Sequence, residues 1–443
     1  MSFWPNHFCK LIRISSTALS KYALRTDEIQ KMCSILAKRR NRNILIWGDF
    51  GLGKSTLINQ LMVYLLQDTC PKNLCAYQLY ELDYSITVQD DATISSVFTN
   101  IRELFYQDSK SVLVINNLEN YLGIGSKKFE KELQLLLSNP STCIIATVDT
   151  DEVSLPHKPI YNMFWEIHLY EPTLAEVYEM IPCHLHDLEQ YHNVHIDLSL
   201  AKWISCCSEY FCMTCEPKRS IDLIDAVMAH AANSGHTTVS KSDFFDFLST
   251  EMQRYYNLSE EQKRNTAIHE LGHFFVHLDA EETLCITPTL VCIIPSVDYD
   301  GITSAEHSRI YTPSYDTEFY VRDIATSLAG RVAEEIFNVP TNSGAKGDLD
   351  EANEIAENFV SIAGMNEDLM GDKVSDSENN DDGTVDIMMQ CTNLILEKAR
   401  DYATEVIIKY KDLIEEVIPH LIKNNGLLTR EEIEYIMMDN SSK

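Results

Sequence analysis

Residues 43–55 read Asn43-Ile44-Leu45-Ile46-Trp47-Gly48-Asp49-Phe50-Gly51-Leu52-Gly53-Lys54-Ser55. An unbroken apolar run bounded by turn residues predicts a strand buried on both faces. Gly48 to Ser55 fit the pattern GxxxxGK[ST], and a helical stretch over Ser55–Leu66 follows. Strand, glycine-rich turn and helix in that order form the setting in which backbone N–H groups cradle phosphate. Gly48, Gly51 and Gly53 shape the turn, and Lys54 reaches the outer phosphates. Ser55 and Thr56 open the helix, Ser55 as a ligand for Mg²⁺. ATP with Mg²⁺ is therefore the expected ligand of this segment.

Outward from that turn, residues 111–117 and 142–147 read as two more buried strands, separated by helical stretches. Strands alternating with helices predict a parallel α/β sheet. Residues 173–232 carry no strand pattern and read as helices, and Asn233-Ser234-Gly235 suits a linker. Beyond it, Ser259-Glu260-Glu261-Gln262 predicts a capping box at the start of a long helix. Residues 281–312 look strand-like, and helices are predicted over 317–337, 349–363 and 385–437. The acidic, Asn-rich and Asp-rich stretch 365–386 reads as a loop.

His269-Glu270-Leu271-Gly272-His273 lies within that long helix. Positions i and i+4 share a helix face, about 6 Å apart along the axis, so two imidazoles there can hold one Zn²⁺. Glu270 stands beside them, placed to take a proton from water that the metal activates. A catalytic zinc needs three protein ligands and an open position. His277 repeats the i, i+4 spacing from His273 without the adjoining Glu, and reads as a neighbour of the site.

Composition narrows the field. The formal net charge is −31, and 45% of the 443 residues are hydrophobic. Phosphate-backbone binding needs clustered Lys and Arg, so nucleic acid is not an expected partner. No run reaches the ~20 apolar residues of a membrane-spanning helix. Thirteen scattered cysteines suggest reduced thiols and a cytoplasmic setting. The alternative is the mitochondrial matrix or another organelle, since Lys10, Arg13, Lys21 and Arg25 are unaccompanied by acids in the first 25 residues. Cys206, Cys207, Cys212 and Cys215 cluster, but no second CxxC stands at zinc-finger spacing.

Two resemblances connect these pieces. Residues 258–273, Ala329-Gly330-Arg331-Val332-Ala333-Glu334-Glu335, Ser343-Gly344-Ala345-Lys346-Gly347-Asp348-Leu349, Gly364-Met365 and Leu427-Leu428-Thr429-Arg430-Glu431-Glu432-Ile433 resemble, in order, the peptidase domain of FtsH-type proteases. The resemblance implies Asp348 as third zinc ligand and a substrate-pairing strand at 300–306, with Gly301, Ile302 and Thr303 in it. Residues 25–232 resemble the first AAA+ module of Clp-type unfoldases. Arg25-Thr26-Asp27-Glu28-Ile29 and Glu216-Pro217-Lys218-Arg219-Ser220-Ile221-Asp222 carry that likeness. It implies Thr147 as sensor of the γ-phosphate and Arg219 as a basic residue of the nucleotide site.

The expected architecture is an α/β P-loop AAA+ module, a parallel sheet plus a small helical subdomain, followed by a mainly α-helical zinc metallopeptidase domain. The expected parts are an arm over 1–22, a large subdomain over 23–170, a small one over 171–232, a connector over 233–249 and the peptidase over 250–443.

Three departures concern the motor. The strand ending at Ile115 is followed by Asn116-Asn117 where AAA+ ATPases place Asp-Glu. An amide lacks the charge that holds the metal or polarises water. Glu119, two residues on, is expected to point elsewhere. The arginine-finger position reads Asn162-Met163-Phe164, and the pore-loop aromatic is replaced by Thr93 within Ala92-Thr93-Ile94-Ser95. The residues support peptide hydrolysis and ATP binding more than ATP hydrolysis. The resemblance implies unfolded protein or peptide substrates and a homo-oligomeric, hexameric ring. Two alternatives stay open: a non-catalytic AAA+ assembly or regulatory subunit, and a fully active ATP-driven unfoldase-protease.

Overall fold

The computed structural model describes residues 25–67, 70–75, 77–82, 91–123, 127–149, 159–212, 214–297, 299–308, 314–340, 346–361 and 382–441, with the side chains of 382–387 and 439–441 left aside. The N-terminal arm, Ser343 to Ala345, Gly364-Met365 and the acidic stretch up to residue 381 lie outside the described residues. The chain divides into two compact units, Met1–Gln190 with Met213–Asp222, and Tyr191–Cys212 with Leu223–Lys443. The helices expected as a small subdomain therefore contribute to both units.

The first unit is built on α1 (Thr26–Leu36), β1 (Ile44–Gly48), α2 (Lys54–Leu65), β2 (Gln78–Glu81), α3 (Asp91–Gln107), β3 (Ser111–Ile115), α4 (Leu118–Gly123), α5 (Lys127–Leu137), β4 (Ile144–Asp149), β5 (Trp165–His168) and most of α6 (Leu174–His192). The five strands form one sheet in the order β2-β3-β4-β1-β5, every pairing parallel. The sequence shows why. Ile44 and Ile46 join one core, with Val112 and Val114, while Leu45 and Trp47 join another with Leu113 and Ile115. Side chains alternate across a strand, so a continuous apolar run is what a sheet covered on both faces requires. β2 and β5 are the edge strands. Gln78 and the Trp165-Glu166 pair are exposed, and this half-polar edge pattern explains why neither strand stands out in the sequence.

The second unit continues through α7 (Leu198–Cys206), α8 (Ser208–Phe211), α9 (Lys218–Asn233, from Leu223 onward), α10 (Lys241–Phe247) and α11 (Ser249–Asn257) to α12 (Glu260–Leu284). Then come β6 (Ile286–Cys292), β7 (Ile302–His307), α13 (Thr317–Ile336), α14 (Lys346–Ser361), α15 (Asp382–Lys423), β8 (Leu427–Thr429) and α16 (Arg430–Ser441). The predicted capping box is present on α12. Ser259 Oγ accepts from Gln262 N at 3.1 Å, and Gln262 Oε1 accepts from Ser259 N at 2.9 Å. Ala267, Ile268, Leu271, Phe274, Phe275 and Val276 are all buried along it, because α13, α15 and β6 all pack against this helix. β6, β7 and β8 form an antiparallel sheet with β7 and β8 at its edges.

The helix expected over 385–437 is two helices. Asn425 and Gly426 adopt left-handed φ of 56° and 83°, which ends the helix and lets Leu427–Thr429 pair with β6. Trp203 Nε1 donates to Glu432 at 3.3 Å, Cys206 Sγ to the Thr289 carbonyl at 3.5 Å, and the Tyr210 hydroxyl to the Ile294 carbonyl. Residues 198–211 thus brace the small sheet and α16 within the second unit.

Candidate metal centre and nucleotide pocket

α12 presents His269 and His273 on one face, their ring centroids 4.8 Å apart. α14 brings Asp348 to them from its first turn. His269 Nε2 lies 3.1 Å from Asp348 Oδ2, His273 Nε2 3.4 Å from the same oxygen, and the two Nε2 atoms are 3.2 Å apart. Among the described residues, this is the one group of three or more His, Cys, Asp or Glu whose donor atoms converge, all within 4.8 Å. The cysteines at 206, 207, 212 and 215 form no such group and are not disulfide-bonded.

The far side of each imidazole is tied down. His273 Nδ1 donates to the Thr326 carbonyl at 2.7 Å, and His269 Nδ1 lies 3.1 Å from the buried Glu334 Oε1. A ring that donates through Nδ1 turns its Nε2 lone pair toward the centre, the tautomer a metal ligand needs. Arg331 in turn donates to Glu334 at 3.2 Å. Burial works to lower the His269 pKa, but hydrogen bonds to Asp348 and Glu334 outweigh it and push it up to about 10. Burial also works against the Asp348 carboxylate, yet its histidine neighbours hold it well below the usual range. The same field that attracts a proton here attracts a cation, and a His₂-carboxylate set suits zinc with an open position.

Close approach by α13 is possible because residue 330 has no side chain. A Cβ on Gly330 would sit 2.5 Å from both His269 Cε1 and His273 Nε2. Glu270 is buried beside the ligands, 6% exposed, and burial raises its pKa. The Thr303 hydroxyl lies 3.0 Å from Glu270 Oε2 and 2.7 Å from the Glu270 carbonyl oxygen. Gly301 passes so near that a Cβ would meet Glu270 Oε1 at 2.7 Å. Ile302 and Thr303 begin β7, an edge strand, so the expected substrate strand runs alongside Glu270. His277 stands outside the donor group. Burial, with His273 and His307 nearby, lowers its pKa to about 4, and its Nδ1 is buried without a hydrogen-bond partner.

In the first unit, the residues from Phe50 to Leu57 line a cavity of about 350 Å³ with Arg25, Thr147, Asp149 and Lys218. Gly53 has φ 85°, a left-handed turn that side chains resist, and α2 starts at the next residue. Gly48 and Gly51 also take positive φ; Gly51, Gly53, Ser55 and Thr56 line the cavity, and Gly48 does not. Lys54 donates to the Gly48 and Asp49 carbonyls at 2.6 and 2.7 Å and pairs with Asp149 Oδ1 at 2.6 Å. Asn116 Nδ2 donates to Glu81 at 2.7 Å, and Asn117 Nδ2 to Asp149 Oδ2 at 2.7 Å. Thr147 Oγ1 accepts from Asn117 N at 2.9 Å, so the expected sensor touches the turn that follows β3. Arg219 does not line the cavity; its guanidinium is held by Glu216 at 3.1 Å and Glu171 at 3.4 Å.

Glu119 is not among the residues that line the cavity. Asn117 takes a left-handed turn, α4 starts one residue later, and Glu119 swings back to the end of β4. Its Oε1 accepts from Asp149 N at 3.3 Å, while Oε2 is buried and unpartnered. Burial raises its pKa. The sequence reading missed Asp149 and Arg25 as pocket residues. Asp149 lies two residues beyond the predicted strand; its register opposite Gly48 is the signal that could have found it. Residues 92–95 form the first turn of α3, and Tyr161–Met163 form a short 3₁₀ turn.

Residues 256–436 match peptidase family M41. The M41 match spans both histidines, Glu270, Gly330, Glu334 and Asp348. The chain is 27% identical over 227 residues to an ATP-dependent zinc metalloprotease FtsH of Thermobaculum terrenum, covering 46% of this chain and 34% of that protein. It is 33% identical over 164 residues to FtsH 3 of Conexibacter woesei, covering 36% and 21%. It is 22% identical over 243 residues to a chaperone protein ClpB of Malacoplasma penetrans, covering 52% and 34%. The chain thus spans about a third or less of the length of these relatives. Over residues 256–436 the chain is similar to peptidase family M41, and its FtsH relatives are ATP-dependent zinc metalloproteases.

Proposed function

We propose that this chain is a zinc metalloendopeptidase that hydrolyses peptide bonds of unfolded proteins and carries an ATP-binding module that does not drive the reaction. The observation that carries it is the convergence of His269, His273 and Asp348 with Glu270 buried beside them. Zinc held by these residues would supply Lewis-acid activation of water and of the scissile carbonyl. Glu270 takes the proton from the attacking water and delivers it to the leaving amine. Its raised pKa suits that exchange, since a proton must be both accepted and released. Thr303 and Gly301 hold the carboxylate and the neighbouring strand in register. An extended substrate adds to the edge of β7, so recognition is mainly through backbone and sequence specificity is broad.

The nucleotide module is read as a binding switch that favours an assembled, hexameric ring. Asn116, Asn117 and Asn162 stand where a hydrolysing AAA+ module carries acids and an arginine, and such an arginine contributes about 10³ to 10⁵ in rate in related enzymes. Casein degradation tests the whole reading. Cleavage should be abolished by a zinc chelator, restored by Zn²⁺, and supported equally by ATP and a non-hydrolysable analogue. Chelator-resistant cleavage, or none under any condition, would refute the peptidase assignment.

A further inference from the structure

We propose that Asp149 has taken over from the missing acids at the end of β3 as the carboxylate through which the nucleotide pocket holds Mg²⁺, a reading that rests on the pocket binding nucleotide. Mg²⁺ at nucleotide phosphates is bound by one or two protein groups, commonly including a carboxylate. The end of β3 offers Asn116 and Asn117, whose amides are spent on Glu81 and on Asp149. The adjacent strand, β4, ends in Asp149, opposite Gly48 in register, and Asp149 shares the cavity with Ser55 and Thr56. The acid has moved one strand across the sheet, toward the P-loop.

The contacts of Asp149 make this a demanding position. Lys54 has three N–H donors, and Gly48 O, Asp49 O and Asp149 Oδ1 account for all three. A phosphate approaching Lys54 therefore meets a carboxylate in its path and a lysine already satisfied. A divalent cation between Asp149 and the phosphates reverses both penalties: the carboxylate becomes a ligand, and a Lys54 donor is released to the phosphate. Asn117 keeps Asp149 Oδ2 oriented, and Glu119 accepts from the Asp149 backbone, so the carboxylate is positioned from two sides.

The consequence is nucleotide binding that depends on Mg²⁺ through one residue. Affinity for a fluorescent ATP analogue is measured with Mg²⁺ and with EDTA, in the unmodified chain and in the isosteric Asp149→Asn. The unmodified chain should bind at least about tenfold more tightly with Mg²⁺, which corresponds to about 1.4 kcal/mol. In Asp149→Asn that ratio should collapse toward one, while binding in EDTA tightens several-fold because Lys54 is free. An Mg²⁺ enhancement that survives in Asp149→Asn overturns the proposal. So does equal tightening in both buffers, which would make Asp149 only a competitor for Lys54. An unmodified chain that binds nucleotide in neither buffer breaks the nucleotide reading itself.

Discussion

The metal centre and the nucleotide pocket both gather ionisable groups away from water, and they balance charge in opposite ways. At the metal centre the chain turns its own partners outward. Glu334 and the Thr326 carbonyl occupy the Nδ1 atoms, so the Nε2 atoms and Asp348 share one focus that only a cation can satisfy. In the nucleotide pocket the chain turns its partners inward. Asp49, Gly48 and Asp149 satisfy Lys54, and the Asn116 and Asn117 amides follow β3. A site that leaves its charge for a ligand to complete is organised for chemistry. A site that completes its own charge can hold a fold together and still admit a ligand, but it yields less on binding.

The largest expected effect tests the organised side. Glu270→Gln keeps the shape and the hydrogen bond from Thr303 but loses the proton acceptor. Casein cleavage should fall by about 10² to 10⁴, the usual worth of general acid–base catalysis, with zinc content by atomic absorption unchanged. Retained cleavage would mean that another group moves the proton.

The second tests the self-satisfied side. A folded fluorescent reporter bearing an unstructured tag should survive in the presence of ATP, although casein is degraded. On the proposed reading, a module without finger arginine, acids and pore aromatic would not convert hydrolysis into pulling. Loss of fluorescence with ATP but not with the analogue would show a live motor and erase the contrast between the sites.

The third concerns the support behind the ligands. Glu334→Ala removes the acceptor that fixes His269, and metal affinity or activity should drop by about 10- to 100-fold, as is usual for such outer partners. Zinc competition with a chromogenic chelator reads this directly.

The fourth inserts the missing acids. In Asn116→Asp with Asn117→Glu, new carboxylates would face Glu81 and Asp149 where the amides now donate to them. Turnover of ATP should stay near background. Thermal stability without Mg²⁺ should fall, because each part-buried carboxylate loses a hydrogen bond and gains a like-charged neighbour. A stable double variant with brisk turnover would show that the amides alone disabled the pocket.

The sequence disclosed the two sites unequally, for a physical reason. His269, Glu270 and His273 are local, four residues apart on one helix, and the buried strands of the sheet are apolar runs that periodicity detects. The P-loop is likewise contiguous. Asp348 was reached only through resemblance, because nothing local connects a residue on α14 to α12. Gly330, Glu334 and Thr303 act through packing between elements, which no window of sequence contains. The direction of Glu119 depends on a left-handed Asn117 and an immediate helix start, neither of which a window of sequence fixes. Asp149 was passed over because strand register, not composition, brings it to Lys54.

The smallest expected effect lies near the metal centre and asks whether polar organisation there carries a cost. Asp323 on α13 is pushed up to about 6, first by burial and then by Glu351, with His307 opposing. A carboxyl raised above its unfolded value favours the fold while it is protonated. That contribution is complete below about pH 4 and is lost as pH rises through about 6. Asp323→Asn cannot ionise and escapes the loss. Relative to the unmodified chain, it should therefore gain stability between pH 5 and pH 7.5, by about 1 kcal/mol after allowance for partial exposure. Urea unfolding of both proteins at the two pH values measures the difference. An equal offset at both would show that Asp323 finds a compensating cation on ionising, in which case the metal centre region is as fully charge-balanced as the nucleotide pocket.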